Sequence, residues 1–571
     1  MNHLLALSVG PVQEFIAAAR RTRDLWFGSK LLSDVSLAAA KSVEQSGGRL
    51  IFPASSGVDG GIANVVLAAL DGPDPEQVAR DAKAAVEKAW ADKANEAFKE
   101  AQGVVRQDLW ELQKDDVVEF HAAWVRGTGE YGRDRDRLMR LLAGRKNCRN
   151  FVWGQGRGGV PKSSLDGQRE SVLKDPEKER WPQGCRAKLR VREGEQLDVV
   201  GLVKRVGGGR VAFPSVSRVA ADPWIRGNKD RLDLLREVCD KLGNSVIRKL
   251  DVNKHPQFKD FPFEGGAVYK NRHKEIREEA ERSESDFAPL IEALKGIPEP
   301  EPYLAVLVAD GDRMGAVIRA LPTADENRNF SKDLATFAEK AEAIVHQHNG
   351  VLIYAGGDDV LAFLPVDTCL NCARGLYDMF AQILAKYKSQ EGSSPTLSVG
   401  VAVGHFLENL EDLLDYGRTA EKHAKTPDRD GLAVHLHKRG GSPIRVRMKW
   451  ETGPDRVLAE LADLIQTDAI PGKLAYDLQN IAVAYENWRR PEEALQKDVL
   501  RVISAKQPRG QRNAMPRIRQ ILKERGVNDA AGLRRFVKEL LVARQISRAN
   551  RQAGKAPASP SVPQRPEGDE S

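Results

Sequence analysis

The sequence predicts an α+β protein: two β-α-β-β-α-β units, a mixed segment between them, and a helical C-terminal region. Three observations predict it. Short strand-like runs alternate with longer stretches of helical apolar spacing, in the same order, near both ends of residues 1–442. The stretch KGIPEPEP (295–302) punctuates the chain before the second unit. Residues 446–545 keep helical spacing throughout.

The elements follow in order. HLLALSVG is a short strand. PVQEFIAAARRTRDLWFGSKLLSDVSLAAAKSVEQSG opens on a proline, a favoured first helical residue, and runs with helical spacing. RLIFPA and IANVVLAAL are β-rich, residues 75–101 are helical, and DVVEFHAAWV is the last strand of a ferredoxin-like unit over 1–126. Residues 127–300 are mixed, with the glycine-rich FVWGQGRGGVPKSSLDGQRESV, the strand-like LDVVGLVKRV and several helices. The second unit, 301–442, reads as a strand YLAVLVADGDRMG, a helix over about 331–348, and a hairpin GVLIYAGGDDVLAFLP. A helix follows in VDTCLNCARGLYDMFAQIL, capped by Asp367 or Thr368, then a strand TLSVGVAVGHF, a helix over about 409–425 and a strand GLAVHLHKRG. Residues 443–547 are expected as a helical domain. The tail, 548–571, is rich in Pro, Ser and Gly and is expected to be disordered.

A length of 571 residues exceeds what a single core fills. No run of eighteen apolar residues and no signal-peptide pattern occurs, so a cytoplasmic protein without membrane contact is expected. Five cysteines do not make a disulfide framework. Cys369 and Cys372 are expected on the buried face of a helix without metal, and a zinc site wants a second pair. The net charge of +7 is uneven: residues 501–550 hold thirteen Lys or Arg against three Asp or Glu. Such a block suits a polyanion, most simply nucleic acid, or a solvated helix face.

The chemistry is carried by YAGGDDVLAFLP. Gly356 and Gly357 permit the positive φ of a tight hairpin turn. A turn alone does not need Asp358 and Asp359 between two apolar strands. Adjacent carboxylates repel, so a cation is the natural counterion, and oxygen-only ligands point to Mg²⁺ or Mn²⁺. A second pair, Asp310 and Asp312, ends the strand YLAVLVA, 48 residues before Asp358. In a β-α-β-β order that strand neighbours the hairpin. The four carboxylates are then expected at one end of the sheet, where two divalent ions would activate a 3′-hydroxyl and neutralise a triphosphate. Gly311 and Gly315 bracket a turn whose amides suit phosphate oxygens, and Lys425 would add positive charge. His405 and His423 are expected in packing or surface roles.

ADGDRMG, YAGGDDVLAFLP and LSVGVAVGHF resemble the second palm domain of the large subunit of type III CRISPR effector complexes. The start, SVGPVQEFIAAARRTRDLWFGSKLLS, looks like the Cmr (type III-B) branch, and GVPKSSLDGQRESV and FPSVSRVA resemble its middle region. The resemblance implies two facing palms, a middle domain and a helical C-terminal domain. It implies a complex that carries CRISPR RNA, is switched on by complementary target RNA, and joins ATP into cyclic oligoadenylates. Other effector subunits are implied partners, especially the one capping the guide 5′ end. Asp310, Asp358 and Asp359 would be metal ligands, with Asp312 a weaker ligand or a support. Gly356 and Gly357 would shape the turn, and Gly28, Ser29 and Lys30 would face a second nucleotide. Many relatives begin with a nuclease domain carrying a His-Asp dipeptide. None of the ten histidines here precedes Asp, so no DNA nuclease activity is expected. Serines stand in GVPKSSLDG where relatives place zinc cysteines, so zinc is not expected. Two other readings remain: a non-catalytic scaffold, and a diguanylate-type cyclase, against which the Asp-Asp pair speaks.

Overall fold

A computed structural model of the chain describes residues 2–57, 63–148, 158–175, 178–208, 212–280, 282–489, 491–508 and 514–557. Strand β1 (His3–Gly10) is apolar at most positions, as a strand covered on both faces must be. It is followed by α1 (Thr22–Gln45), β2 (Arg49–Phe52), β3 (Val65–Leu70), α2 (Pro75–Glu100) and β4 (Glu119–Arg126). The strands pair antiparallel in the order β2-β3-β1-β4, the expected ferredoxin-like arrangement. Helices α1 and α2 cover one face. Helix α3 (Tyr131–Asn147) covers the other, setting Leu138 and Leu142 against Leu4 and Ala6. The boundary expected at 126 therefore cuts this unit, because without α3 one apolar face would be bare.

The middle region corrects one expectation. The run LDVVGLVKRV is not a strand but contains α4 (Val199–Val206), capped by Asp198, whose carboxylate accepts the Gly201 N–H at 2.8 Å. A short apolar run fits either period, and the cap decides. α4 sends Lys204 and Arg205 inward, both fully buried. Arg205 is gripped by Asp24 at 2.9 Å and Glu195 at 2.7 Å, and Lys204 donates to the carbonyls of Phe15 and Ala18. Burial depresses the Lys204 ammonium to about 8. These partners pin α1 to the middle region. Helix α5 (Val216–Gly227) then lies under the second sheet. Residues 151–157 of the glycine-rich loop lie outside the described residues.

The second unit comprises β5 (Tyr303–Asp312), α6 (Ala324–Gln347), β6 (Val351–Gly356), β7 (Asp359–Leu364), α7 (Cys369–Leu384), β8 (Thr396–His405), α8 (Leu410–Lys425) and β9 (Gly431–Leu436). With β10 (Ile444–Lys449) added at one edge, its strand order, β10-β9-β8-β5-β7-β6, contains the same four-strand core. β10 was expected to be helical and is an edge strand instead. IRVRMK alternates apolar with basic residues, and the basic positions suit an edge. α6 begins at Ala324, earlier than expected, with Thr323 accepting the Glu326 N–H. Ala305, Leu307 and Ala309 face α6 and α7, whereas Val306 and Val308 face α8. Cys369 and Cys372 are buried on α7 as expected. The expected cap is not made: the Thr368 hydroxyl donates to the His348 carbonyl at 2.7 Å, and Asp367 binds Arg226 at 2.8 Å.

Helices α9 (Pro454–Gln466), α10 (Leu474–Ala484), α11 (Glu492–Lys506), α12 (Met515–Glu524) and α13 (Ala530–Gln552) form the C-terminal region and share a core with α6 and α7. α13 crosses the tail boundary expected at 548, and residues 558–571 lie outside the described residues. The two palm units touch directly. Asn327 donates to the Tyr131 hydroxyl at 2.7 Å, Arg49 pairs with Asp325 at 2.8 Å, and α1 meets β6. Among the described residues no helix is long and apolar enough to cross a membrane.

Candidate active site

The hairpin forms as the sequence predicts. Gly356 pairs with Asp359, leaving a two-residue turn of Gly357 and Asp358. Gly357 has φ +79°, and Asp358 has no positive φ, the pattern of a type II′ turn. Gly356, expected to need positive φ as well, does not; a β-carbon there would meet open space.

β7 runs antiparallel to β5, with Ala309 opposite Val360. One step further, the register sets Asp310 opposite Asp359. The turn folds Asp358 back over β5, where a β-carbon on Gly311 would stand 2.8 Å from the Asp358 Cβ and Oδ2. Asp310, Asp358 and Asp359 are thus gathered at one sheet end, and glycine at 311 is what makes room. This supports a packing role for Gly311. Gly315 lies in the short helix Met314–Ala320, which begins after Arg313 in a left-handed conformation with no side-chain cap.

Of the two roles expected for Asp312, weaker ligand or support, its bonding favours support. Its side chain is fully buried and already bonded. It accepts from Thr396 at 2.8 Å, from Ser398 at 2.8 Å and from the Asp430 N–H at 3.1 Å. That geometry makes it a brace between β5, β8 and the start of β9.

Helix α8 brings in two more charges. Gly400 and Gly417 allow its close approach: β-carbons there would stand 2.1 Å from the Glu421 nitrogen and 2.9 Å from Val306 and Val308. Lys425, at the end of α8, donates to Asp310 and lies 2.7 Å from Glu421 Oε1. Tyr354 on β6 donates its hydroxyl to Asp359 at 3.2 Å. Sequence reading missed Glu421 and Tyr354; Tyr354 sits two residues before the Gly-Gly pair, a signal that was available.

The electrostatics fit a cation site. Burial, followed by repulsion from Asp359, pushes the Asp358 carboxyl up to about 6. Burial pushes Asp359 up to about 6, against the Tyr354 hydrogen bond and the field of Arg418. Glu421 is pushed to about 7 by burial and by Asp359 and Asp312. Among the described residues, no Lys or Arg pairs with Asp358 or Asp359 within 4.0 Å, whereas Asp310 is paired with Lys425. Nor is any group of three or more His, Cys, Asp or Glu, among those residues, already arranged to hold an ion. The donor chemistry still fits a hard divalent ion: oxygen donors only, and two half-buried carboxylates with no basic partner within 4.0 Å among the described residues.

The first-palm residues are placed differently from one another. Gly28 is buried against Lys204, whose Cε would lie 3.0 Å from a β-carbon there, so it faces the middle region. Lys30 is exposed and pairs with Asp34 at 3.1 Å. Ser29 is half-buried between them. His405 Nδ1 accepts the Leu407 N–H at 3.1 Å, and His423 Nδ1 lies 2.9 Å from His435 Nε2, both packing arrangements. Ser163 and Ser164 of GVPKSSLDG bond to Asp198 and to the Gln196 amide.

Fold and site together define a double-palm protein whose second palm carries a carboxylate centre. Residues 303–433 match the family described as Cas10/Cmr2, second palm domain, and residues 4–95 match CRISPR-associated protein Cmr2, N-terminal. The CRISPR system Cmr subunit Cmr2 of Pyrococcus furiosus is 31% identical over 280 residues, covering 43% of this chain and 31% of that protein. The match thus spans about a third of that relative. A type III-B Cmr-beta chain in the apo state superposes with a TM-score of 0.64 at 13% identity, over 89% of this chain and 77% of that one. Its counterpart bound to cognate target RNA gives 0.62 at 14% identity, over 89% and 79%. At such identities these two show the fold. Its two matched segments are thus similar to the second palm and the N-terminal region of Cas10/Cmr2 proteins.

Proposed function

We propose that the chain is the large subunit of a type III-B CRISPR RNA-guided effector complex, and that its second palm joins ATP into cyclic oligoadenylates when target RNA is bound. One observation carries this reading: Asp310, Asp358 and Asp359 converge at one sheet end, and the last two lack a basic partner within 4.0 Å among the described residues. Mg²⁺ or Mn²⁺ held by these three carboxylates would supply Lewis-acid activation of a 3′-hydroxyl and charge neutralisation on the triphosphate. The chain's own residues prepare that chemistry. The hairpin turn fixes Asp358 over Gly311. Tyr354 orients Asp359 through its hydroxyl. Asp312 braces β5 against β8 so that Asp310 keeps its place. Lys425 bridges Asp310 and Glu421, and its ammonium is placed to meet a phosphate oxygen. The bond formed joins a 3′-oxygen to the α-phosphorus of ATP, and pyrophosphate leaves.

Guide RNA, target RNA and the neighbouring Cmr subunits are the partners this reading requires. The test is a product assay on the assembled complex with labelled ATP and Mg²⁺, with and without complementary target RNA. Oligoadenylates are expected only with target, and only when Asp358 and Asp359 are intact. Product from the Asp358→Ala, Asp359→Ala double variant would overturn the metal assignment. No product from the wild type under either condition would leave a scaffold role.

A further inference from the structure

The basic block at 501–550 takes no part in the carboxylate site, yet α13 presents a cavity of about 250 Å³ lined by part of it. Arg544, Ser547, Arg548 and Arg551 recur at the three- and four-residue spacing that sets side chains on one helix face. The loop between α9 and α10 closes the other side with Asp468, Gly472 and Lys473. Four cations therefore face one lining carboxylate, Asp468.

The partners of these groups are unequal. Arg551 is engaged by Asp468 at 3.4 Å and by the carbonyls of Ile465 and Gln466 at 2.9 and 3.0 Å. Arg548 pairs with Glu301 at 2.6 Å. Lys473 and Arg544 make no ion pair among the described residues; Arg544 lies over the Tyr476 ring at 6.0 Å. Gly472 stands beside Arg544, whose Nε would lie 3.6 Å from a β-carbon there. Ser547 is 1% exposed, lines the cavity, and its hydroxyl has no hydrogen-bond partner among the described residues. A buried hydroxyl without a partner is costly unless something in the cavity satisfies it.

We infer that this cavity binds a phosphate group, taken from the backbone of single-stranded RNA or from a free nucleotide. A phosphate oxygen accepts from the Ser547 hydroxyl, and the planar fork of Arg544 and the mobile ammonium of Lys473 neutralise its charge. Uncharged or cationic ligands do not suit two cations, Lys473 and Arg544, that have no ion-pair partner among the described residues. The cavity shares no residue with the carboxylate site, so it stands or falls independently of the catalytic reading.

The test uses the full chain, with a labelled single-stranded RNA followed by anisotropy and ATP followed by thermal shift. Arg544→Gln is expected to weaken RNA binding by about three- to tenfold and to reduce the slope of log affinity against log salt by about 1. Ser547→Ala is expected to weaken the same probe while leaving the melting temperature unchanged or raised, since it removes an unpartnered buried hydroxyl. Arg501→Gln, on an exposed face of α11, serves as the charge control and is expected to cost less than Arg544→Gln. Loss of RNA binding identifies a backbone phosphate, and loss of ATP-induced stabilisation identifies a nucleotide. Wild-type binding of both probes by Arg544→Gln and Ser547→Ala would overturn the inference. So would equal losses from Arg544→Gln and Arg501→Gln with none from Ser547→Ala.

Discussion

The Asp358 carboxylate lies 2.8 Å from where a β-carbon on Gly311 would stand. This contact joins the hairpin to β5 and makes one site of two separate sequence motifs. Gly311→Ala forces the turn, Met314 or both to move. We expect at least a tenfold loss of ATP turnover with a melting temperature within a few degrees of wild type. Turnover assays beside a thermal melt check this; full activity would show that the turn adapts freely.

Asp358 and Asp359 both titrate near 6 in the folded chain, above the ordinary carboxylate value of about 3.9. The folded state therefore binds more protons than the unfolded state between about pH 4 and pH 6, and stability falls as pH rises through that window. In cation-free buffer, Asp358→Asn should gain roughly 1–2 kcal/mol at neutral pH and almost nothing near pH 4. Urea denaturation across that range reads the difference. An equal gain at both ends would show that the carboxylate is not strained by burial.

Asp312→Ala leaves Thr396, Ser398 and the Asp430 N–H without their acceptor. Removing a buried acceptor of this kind costs about 2–4 kcal/mol. Chemical denaturation measures it, and an unchanged midpoint would return Asp312 to the ligand set.

Lys425 pairs with Asp310. Lys425→Ala should tighten Mn²⁺ binding to the nucleotide-free chain by about threefold or more, because a competing cation is gone. The KM for ATP should rise, because phosphate loses a counter-charge. Relaxation titration of Mn²⁺ and steady-state kinetics read the two effects, and weaker Mn²⁺ binding would contradict the competition.

Close packing of α8 rests on Gly400, where a β-carbon would stand 2.1 Å from the Glu421 nitrogen. Gly400→Val should displace the helix and cost about 2–4 kcal/mol. Denaturation is the measurement, and a wild-type midpoint would mean that α8 is held elsewhere.

Sequence alone determined the order of strands and helices in both palms, the hairpin, and the carboxylates at its turn and on the neighbouring strand. These are local patterns: period-2 runs, glycines at a turn, and charged residues where apolar ones would otherwise stand. Where two periods fit the same residues, sequence did not decide. Asp198 made a helix of 199–206, and pairing with β9 made a strand of 444–449. Only the tertiary structure decided which carboxylates lack a basic partner among the described residues, Asp358 and Asp359, and which are engaged. Asp310 and Asp312 stand two residues apart on one strand. Residues 84 to 118 positions later satisfy Asp312, and Lys425 engages Asp310. The same holds for Ser547, an ordinary helical serine in sequence. Burial beside Arg544 strips it of water, because partners and solvent access are set by which distant elements meet.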